Sequence, residues 1–176
     1  MMLKLTTYRN LQIFLVIIAV IGMSFALFFL QRYMGFSPCP LCIFQRIGLI
    51  IMGSFALIAA LFNPKSKAVR LVLWLGSLAG IGWATAVAGR HVWLQHLPAD
   101  QVPSCGPGLD YWLDTLPILQ VFKEVFAGSG ECASVEWTFM GLSIPEQSLI
   151  LFSLLLVVHG LILWRILRPV APSRLA

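Results

Sequence analysis

Four stretches of the chain contain no Asp, Glu, Lys or Arg: residues 10–31, 47–64, 71–89 and 147–164, with lengths of 22, 18, 19 and 18. At a rise of about 1.5 Å per residue, roughly 20 mostly apolar residues cross the hydrocarbon core of a bilayer. The pattern predicts transmembrane helices over about residues 10–31, 43–64, 70–89 and 147–165, flanking residues supplying the missing turns. The expected fold class is an all-α membrane protein, a four-transmembrane-helix bundle in one domain spanning residues 1–176. Two outward-facing loops, near 32–42 and 90–146, connect its helices. The second is long, and in it Ile118, Val121, Phe122, Val125 and Phe126 recur at helical spacing opposite Gln120, Lys123 and Glu124. That spacing predicts a short amphipathic surface helix, lying on the membrane or packed on the bundle top.

Within the spans, Gly76, Gly80, Ala84 and Ala88 form a small-residue seam along the third helix, which lets another helix approach closely. In the first, Ser24-Phe25-Ala26 resembles a signal cleavage site, but apolar residues continue through Leu30 and predict a retained anchor. Trp74 and Trp164 are expected at one membrane interface, and Trp93, Trp112 and Trp137 at the other. His159 falls inside the fourth span, where a packing or hydrogen-bonding role is expected over a proton relay.

Composition agrees with the pattern: 59% of residues are hydrophobic and 11% charged, against roughly 25% charged in a soluble domain. Mean hydropathy is +0.89, which sets aside disordered chains and ordinary cytosolic enzymes. The net charge of +5 comes from residues flanking the apolar runs, so the expected surroundings are a lipid bilayer and no nucleic acid. Lys4, Arg9, Lys65, Lys67, Arg70, Arg165, Arg168 and Arg174 gather on one side. The other side has Arg32, Arg46, Arg90, Lys123 and all seven acidic residues. Basic residues concentrate on cytoplasmic connections, so both termini are expected to be cytoplasmic and both loops exported.

Cys39, Cys42, Cys105 and Cys132 all fall in those loops, where disulfides are more common than free thiols. Cys39-Pro40-Leu41-Cys42 can close a small ring that favours exchange over stapling. Pro38 and Pro40 disfavour continuing the preceding helix, so Leu41 and Cys42 are expected to open the second one. Cys42 then meets a positive helix end, with Arg46 at i+4 on the same face, and is the better candidate for an activated sulfur. Gln31, Cys42, Arg46 and His91 can surround one pocket at the outer interface, with Arg90 adding a second cation. Hydrogen-bond donors above an apolar cleft suit an amphipathic carbonyl compound such as a quinone. Cys105 and Cys132 lie 27 residues apart among glycines that argue for exposure. A disulfide between them as a staple would contribute roughly 3–4 kcal/mol. A structural pair of staples stays open beside a redox relay. No metal is expected, because a Cys₄ zinc centre usually presents two close pairs.

Several segments resemble the disulfide bond formation protein B family of bacterial inner membranes. They are Gln31, the run Pro38 to Arg46, His91 with Leu94-Gln95, Cys105, Ser129-Gly130-Glu131-Cys132-Ala133, Trp137, Gly141-Leu142 and Pro145. A vitamin K epoxide reductase type also combines four helices with a Cys-x-x-Cys, but there the motif is expected late in the chain. The resemblance implies that a DsbA-like periplasmic thioredoxin-fold dithiol protein attacks a Cys105–Cys132 disulfide at Cys105. Electrons then pass from Cys132 to Cys39–Cys42, and Cys42 meets a bound quinone, ubiquinone or menaquinone under low oxygen, drawn from the membrane pool. Arg46, with Gln31 and His91, is implied to hold that quinone. Oxidising a partner near about −120 mV needs an acceptor of this kind, since thiol exchange alone would not turn over. Pro40 and Gln45 sit at positions where members of that family vary, which implies that they tune potential without changing the reaction.

Overall fold

The structure is a computed structural model that describes residues 7–98, 100–135 and 137–168. Lys4 and Arg174, two of the basic residues used to orient the chain, lie outside that range. Four helices are long and apolar enough to cross a membrane: α1 (Tyr8–Tyr33), α2 (Pro40–Phe62), α3 (Lys67–Gln95) and the last, α7 (Ile144–Leu167). They make a four-helix membrane bundle, with α4 (Leu109–Thr115), α5 (Ile118–Ala127) and α6 (Gly130–Ala133) between α3 and α7. The helices outrun the charge-free stretches at their ends. A long Arg or Lys stem can lie along apolar surface while its head reaches polar surroundings, so a charge near an end does not stop a helix.

Leu15, Met52, Ala56, Ile81, Ala84, Leu155 and Ile162 fill the bundle interior. The small-residue seam of α3 meets α2: a Cβ on Gly80 would stand 2.6 Å from the Met52 nitrogen and 2.8 Å from the Gly48 carbonyl oxygen. Backbone therefore touches backbone there. Deeper still, His159 ties α7 to α3. Its Nδ1–H donates to the Leu155 carbonyl at 2.8 Å, and its Nε2 lies 2.9 Å from the Ser77 hydroxyl that donates to it. Trp74 donates from Nε1 to the His159 carbonyl at 3.0 Å and is buried, so it is a core residue and not the interfacial anchor expected. Trp112 is buried as well, whereas Trp93 and Trp164 are exposed under the guanidinium groups of Arg90 and Arg168.

The amphipathic stretch forms α5 and packs on the bundle. Val121 and Val125 are buried, and Phe122 meets Phe44 and Trp83 edge-on at 5.4 and 6.2 Å. Ile118 and Leu119 stay exposed. A two-strand hairpin, β1 (Thr138–Phe139) and β2 (Leu142–Ser143), then leads into α7. Its two-residue turn has φ of 54° at Met140 and 80° at Gly141, the left-handed pair that such turns require and that favours Gly at the second position.

Ser143 caps α7. The Glu146 N–H donates to Ser143 Oγ at 3.5 Å, while the Ser143 N–H donates to Glu146 Oε2 at 2.7 Å. Ser143 Oγ also donates to Gln95 Oε1 at 2.7 Å, fastening the start of α7 to the end of α3. Ser143→Ala is expected to lower stability by about 1 kcal/mol. A detergent-unfolding titration followed by circular dichroism checks this, and an unchanged midpoint would mean the cap contributes nothing.

Candidate active site

Pro40 occupies the first turn of α2, where its missing N–H costs nothing, and Cys39 is the N-cap. Cys42 therefore sits in the first turn, with its sulfur 3.2 Å from that of Cys39. Cys42, Gln45, Arg46 and Leu49 follow at i, i+3, i+4 and i+7, and all four line one cavity of about 530 Å³. Phe25, Leu30, Trp137 and Phe152 give it apolar walls. His91 and Gln95 of α3 add polar groups to its lining.

His91 is buried against the paired sulfurs. Its Nε2 lies 3.8 Å from Cys39 Sγ, its Nδ1 4.0 Å from Cys42 Sγ and 3.2 Å from Gln45 Nε2. The Gln45 amide N–H donates to Nδ1, which leaves the ring proton on Nε2, facing Cys39. Gln45 is thus a member of the site, where sequence reasoning treated it only as a variable position that tunes potential. Its position at i+3 from Cys42 was the available signal.

Arg46 donates to Gln31 Oε1 at 2.6 Å. Gln31 is not among the cavity-lining side chains and meets the site through Arg46. It is carried by a π-helical segment of α1, Phe25–Tyr33, along which the rings of Phe25, Phe29 and Tyr33 stack. No pattern in the sequence marks that segment. Arg90 is the clearest correction: it does not add a cation to the cavity. Successive residues of a helix point about 100° apart, so with His91 turned inward Arg90 faces α5. There it donates to the carbonyls of Phe126 at 2.9 Å and Ala127 at 3.1 Å, capping that helix.

The four cysteines are thiols in the structure, and they are not equivalent. Cys105 is exposed, but Cys132 is buried, against the expectation that glycines leave both accessible. The sulfurs of Cys39 and Cys132 and a ring nitrogen of His91 lie within 4.8 Å of one another. The Cys132 thiol is held well above the usual thiol range, first by its hydrogen bond with Cys39 and then by burial. Cys105 packs over α6, where a Cβ on Gly130 would come within 3.0 Å of its sulfur. Glycine at 130 is thus needed for Cys105 to rest beside the helix that carries Cys132.

One exposed sulfur, one buried sulfur against a Cys-x-x-Cys pair and a histidine beside that pair form a set that can exchange thiols and disulfides. A family profile described as disulfide bond formation protein DsbB matches residues 8–162. The disulfide bond formation protein B of Psychrobacter arcticus is 83% identical over 175 residues, covering 99% of each chain. That of Acinetobacter baumannii is 54% identical over 164 residues, 92% of each chain, and that of Saccharophagus degradans 44% identical over 165 residues. A match along nearly the whole chain, on four apolar helices with converging thiols, means that the chain belongs to the disulfide bond formation protein B family and is a membrane disulfide oxidoreductase.

Proposed function

We propose that the protein reoxidises a DsbA-like periplasmic thioredoxin-fold dithiol protein and delivers the electrons to a quinone of the membrane pool, ubiquinone or, under low oxygen, menaquinone. The observation that carries this reading is the buried Cys132 sulfur beside Cys39, at a cavity headed by Arg46 and His91. Arg9, Lys65, Lys67, Arg70, Arg165 and Arg168 cluster away from the cysteines in the sequence, which supports a bacterial inner membrane protein with cytoplasmic termini and periplasmic thiols.

Exposure and distance support the following relay. With Cys105–Cys132 and Cys39–Cys42 each oxidised, a partner thiolate attacks exposed Cys105, and Cys132 leaves as thiolate. Its nearest sulfur among the inner pair is Cys39. Attack there breaks the Cys39–Cys42 bond, joins Cys132 to Cys39 and frees Cys42 as thiolate in the cavity. The partner's second thiol resolves the mixed disulfide at Cys105, and Cys105 then displaces Cys39 from Cys132. The outer disulfide is restored, and two electrons rest on Cys39 and Cys42. The Nε2–H of His91 faces Cys39 Sγ and steadies that sulfur as it leaves.

The cavity suits a quinone head: about 530 Å³, apolar walls, and Gln45, Arg46 and His91 among its lining. Arg46, Gln45 and His91 would hold its oxygens, with Gln31 fixing the Arg46 guanidinium. When bound, a quinone supplies a two-electron, two-proton acceptor that regenerates the inner disulfide. The guanidinium faces the cavity, where fixed charge stabilises developing negative charge without reorganisation.

The test is anaerobic. Detergent-purified protein is mixed with a reduced DsbA-like partner and a ubiquinone analogue, and quinone absorbance is followed. Loss of absorbance at many equivalents per chain is expected, and none with any dithiol partner would sink the reading. In the same assay Arg46→Gln should raise KM for the quinone roughly tenfold or more, the worth of a charged hydrogen bond. An unchanged KM would remove Arg46 from the quinone site.

A further inference from the structure

Cys-x-x-Cys followed by a distant His and a distant Cys is the ligand order of a Cys₃His metal site, and here the fold brings those four residues together. Cys39 Sγ, a His91 ring nitrogen and Cys132 Sγ lie within 4.8 Å of one another. Cys42 Sγ is 3.2 Å from Cys39 Sγ and 4.0 Å from His91 Nδ1. Around a tetrahedral ion with bonds of about 2.3 Å to sulfur and about 2.0–2.1 Å to nitrogen, ligand atoms stand roughly 3.5–3.8 Å apart. Cys39, His91 and Cys132 already stand close to that spacing, and Cys42, beside Cys39 but outside that trio, would complete the shell by a side-chain rotation.

The surroundings fit as well. Gln45 lies against Nδ1, which leaves His91 Nε2 as the ligating atom, already 3.8 Å from Cys39 Sγ. Turned end over end, the Gln45 amide would offer its oxygen to Nδ1–H, the orienting partner that a metal-bound histidine usually has. Arg46, one turn along α2 from Cys42, offsets the negative charge of three thiolates around a divalent ion. A Cys₄ zinc centre would have needed Cys105, but His91 takes its place and Cys105 stays outside, exposed.

We propose that the fully reduced protein binds one soft divalent ion, of the zinc or cadmium class, through Cys39, Cys42, Cys132 and His91, in competition with disulfide formation at the same sulfurs. Binding takes up one divalent ion and releases three thiol protons, with no change of oxidation state. Closing the Cys39–Cys42 disulfide removes two ligands, and closing Cys105–Cys132 removes one. Oxidation therefore expels the ion, and the ion holds back reoxidation. The proposal requires the thiols alone and stands apart from the quinone reaction.

The experiment is a Cd²⁺ titration of the purified full chain, reduced with a phosphine under anaerobic conditions. Thiolate-to-cadmium absorbance is read first, followed by iodoacetamide alkylation and mass spectrometry. One equivalent per chain is expected, with Cys39, Cys42 and Cys132 protected and Cys105 alkylated at its metal-free rate. The oxidised protein should give no band. Gln45→Leu should bind about tenfold more weakly, as loss of an orienting partner does. The proposal is overturned if Cys132 is alkylated equally fast with and without cadmium, which leaves the ion on the Cys39–Cys42 pair, or if protection extends to Cys105. The alkylation pattern comes from the unaltered chain, so the answer does not depend on a variant folding.

Discussion

Cys42→Ser is expected to abolish continuous turnover while preserving a single round of thiol exchange. With the Cys105–Cys132 bond oxidised at the start, one equivalent of reduced partner should still become oxidised, because the attack on exposed Cys105 does not involve Cys42. Cys132 is then freed beside a Cys39 that has no disulfide to be attacked, and the electrons stop there. Steady-state quinone reduction should fall by at least about 1,000-fold, the scale of loss when the sulfur or oxygen that forms the covalent intermediate is removed. A rapid-mixing experiment that counts oxidised partner per chain separates the two phases. Sustained turnover above a tenth of the wild-type rate would exclude Cys42 from the relay. A folded variant with neither burst nor turnover would show instead that the partner does not attack at Cys105.

That prediction depends on which sulfur meets which, and the sequence carried only part of this. The four apolar runs were plain, since a bilayer tolerates few charges over about 20 residues. The Cys42 and Arg46 pair was legible from i, i+4 spacing, and the same arithmetic reaches Gln45, whose contact with His91 was there to be found. Contacts set by distant segments were not legible. The burial of Cys132 depends on how α6 docks against α2 and α3, and its flanking glycines pointed the wrong way. Gly130 is small to admit the Cys105 sulfur, not to keep the loop open. Arg90 misled for a related reason: adjacency in sequence puts two side chains of a helix on different faces, and Arg90 serves the end of α5. The π-helical turn that carries Gln31 toward Arg46 left no trace in the apolar pattern at all.

The seam of small residues on α3 is where sequence pattern, packing and site geometry meet, and Gly80→Leu is expected to break all three. A Cβ at this position would press on backbone atoms of α2, 2.6 Å from the Met52 nitrogen and 2.8 Å from the Gly48 carbonyl oxygen. Neither can swing away as a side chain would, so the helices must part. Overpacking of this sort usually costs about 1–3 kcal/mol, and contact with main chain belongs at the upper end. The damage should travel. His91 lies farther along α3, while Cys39, Cys42 and Gln45 belong to α2 and its cap, so parting the helices widens the 3.2 Å contact from Gln45 to His91. Gly80→Leu should therefore lower both the unfolding midpoint in detergent and the rate of thiol exchange. Gly82→Ala is the control: nothing lies within 4 Å of the added carbon, so only helix propensity changes, by about 0.5–1 kcal/mol in favour of the fold. Equal stability of Gly80→Leu and wild type would mean that the α2–α3 contact is not tight in the membrane. A stability loss without a rate loss would mean that His91 keeps its place among the sulfurs by other contacts, those with Cys39 and Cys42 themselves.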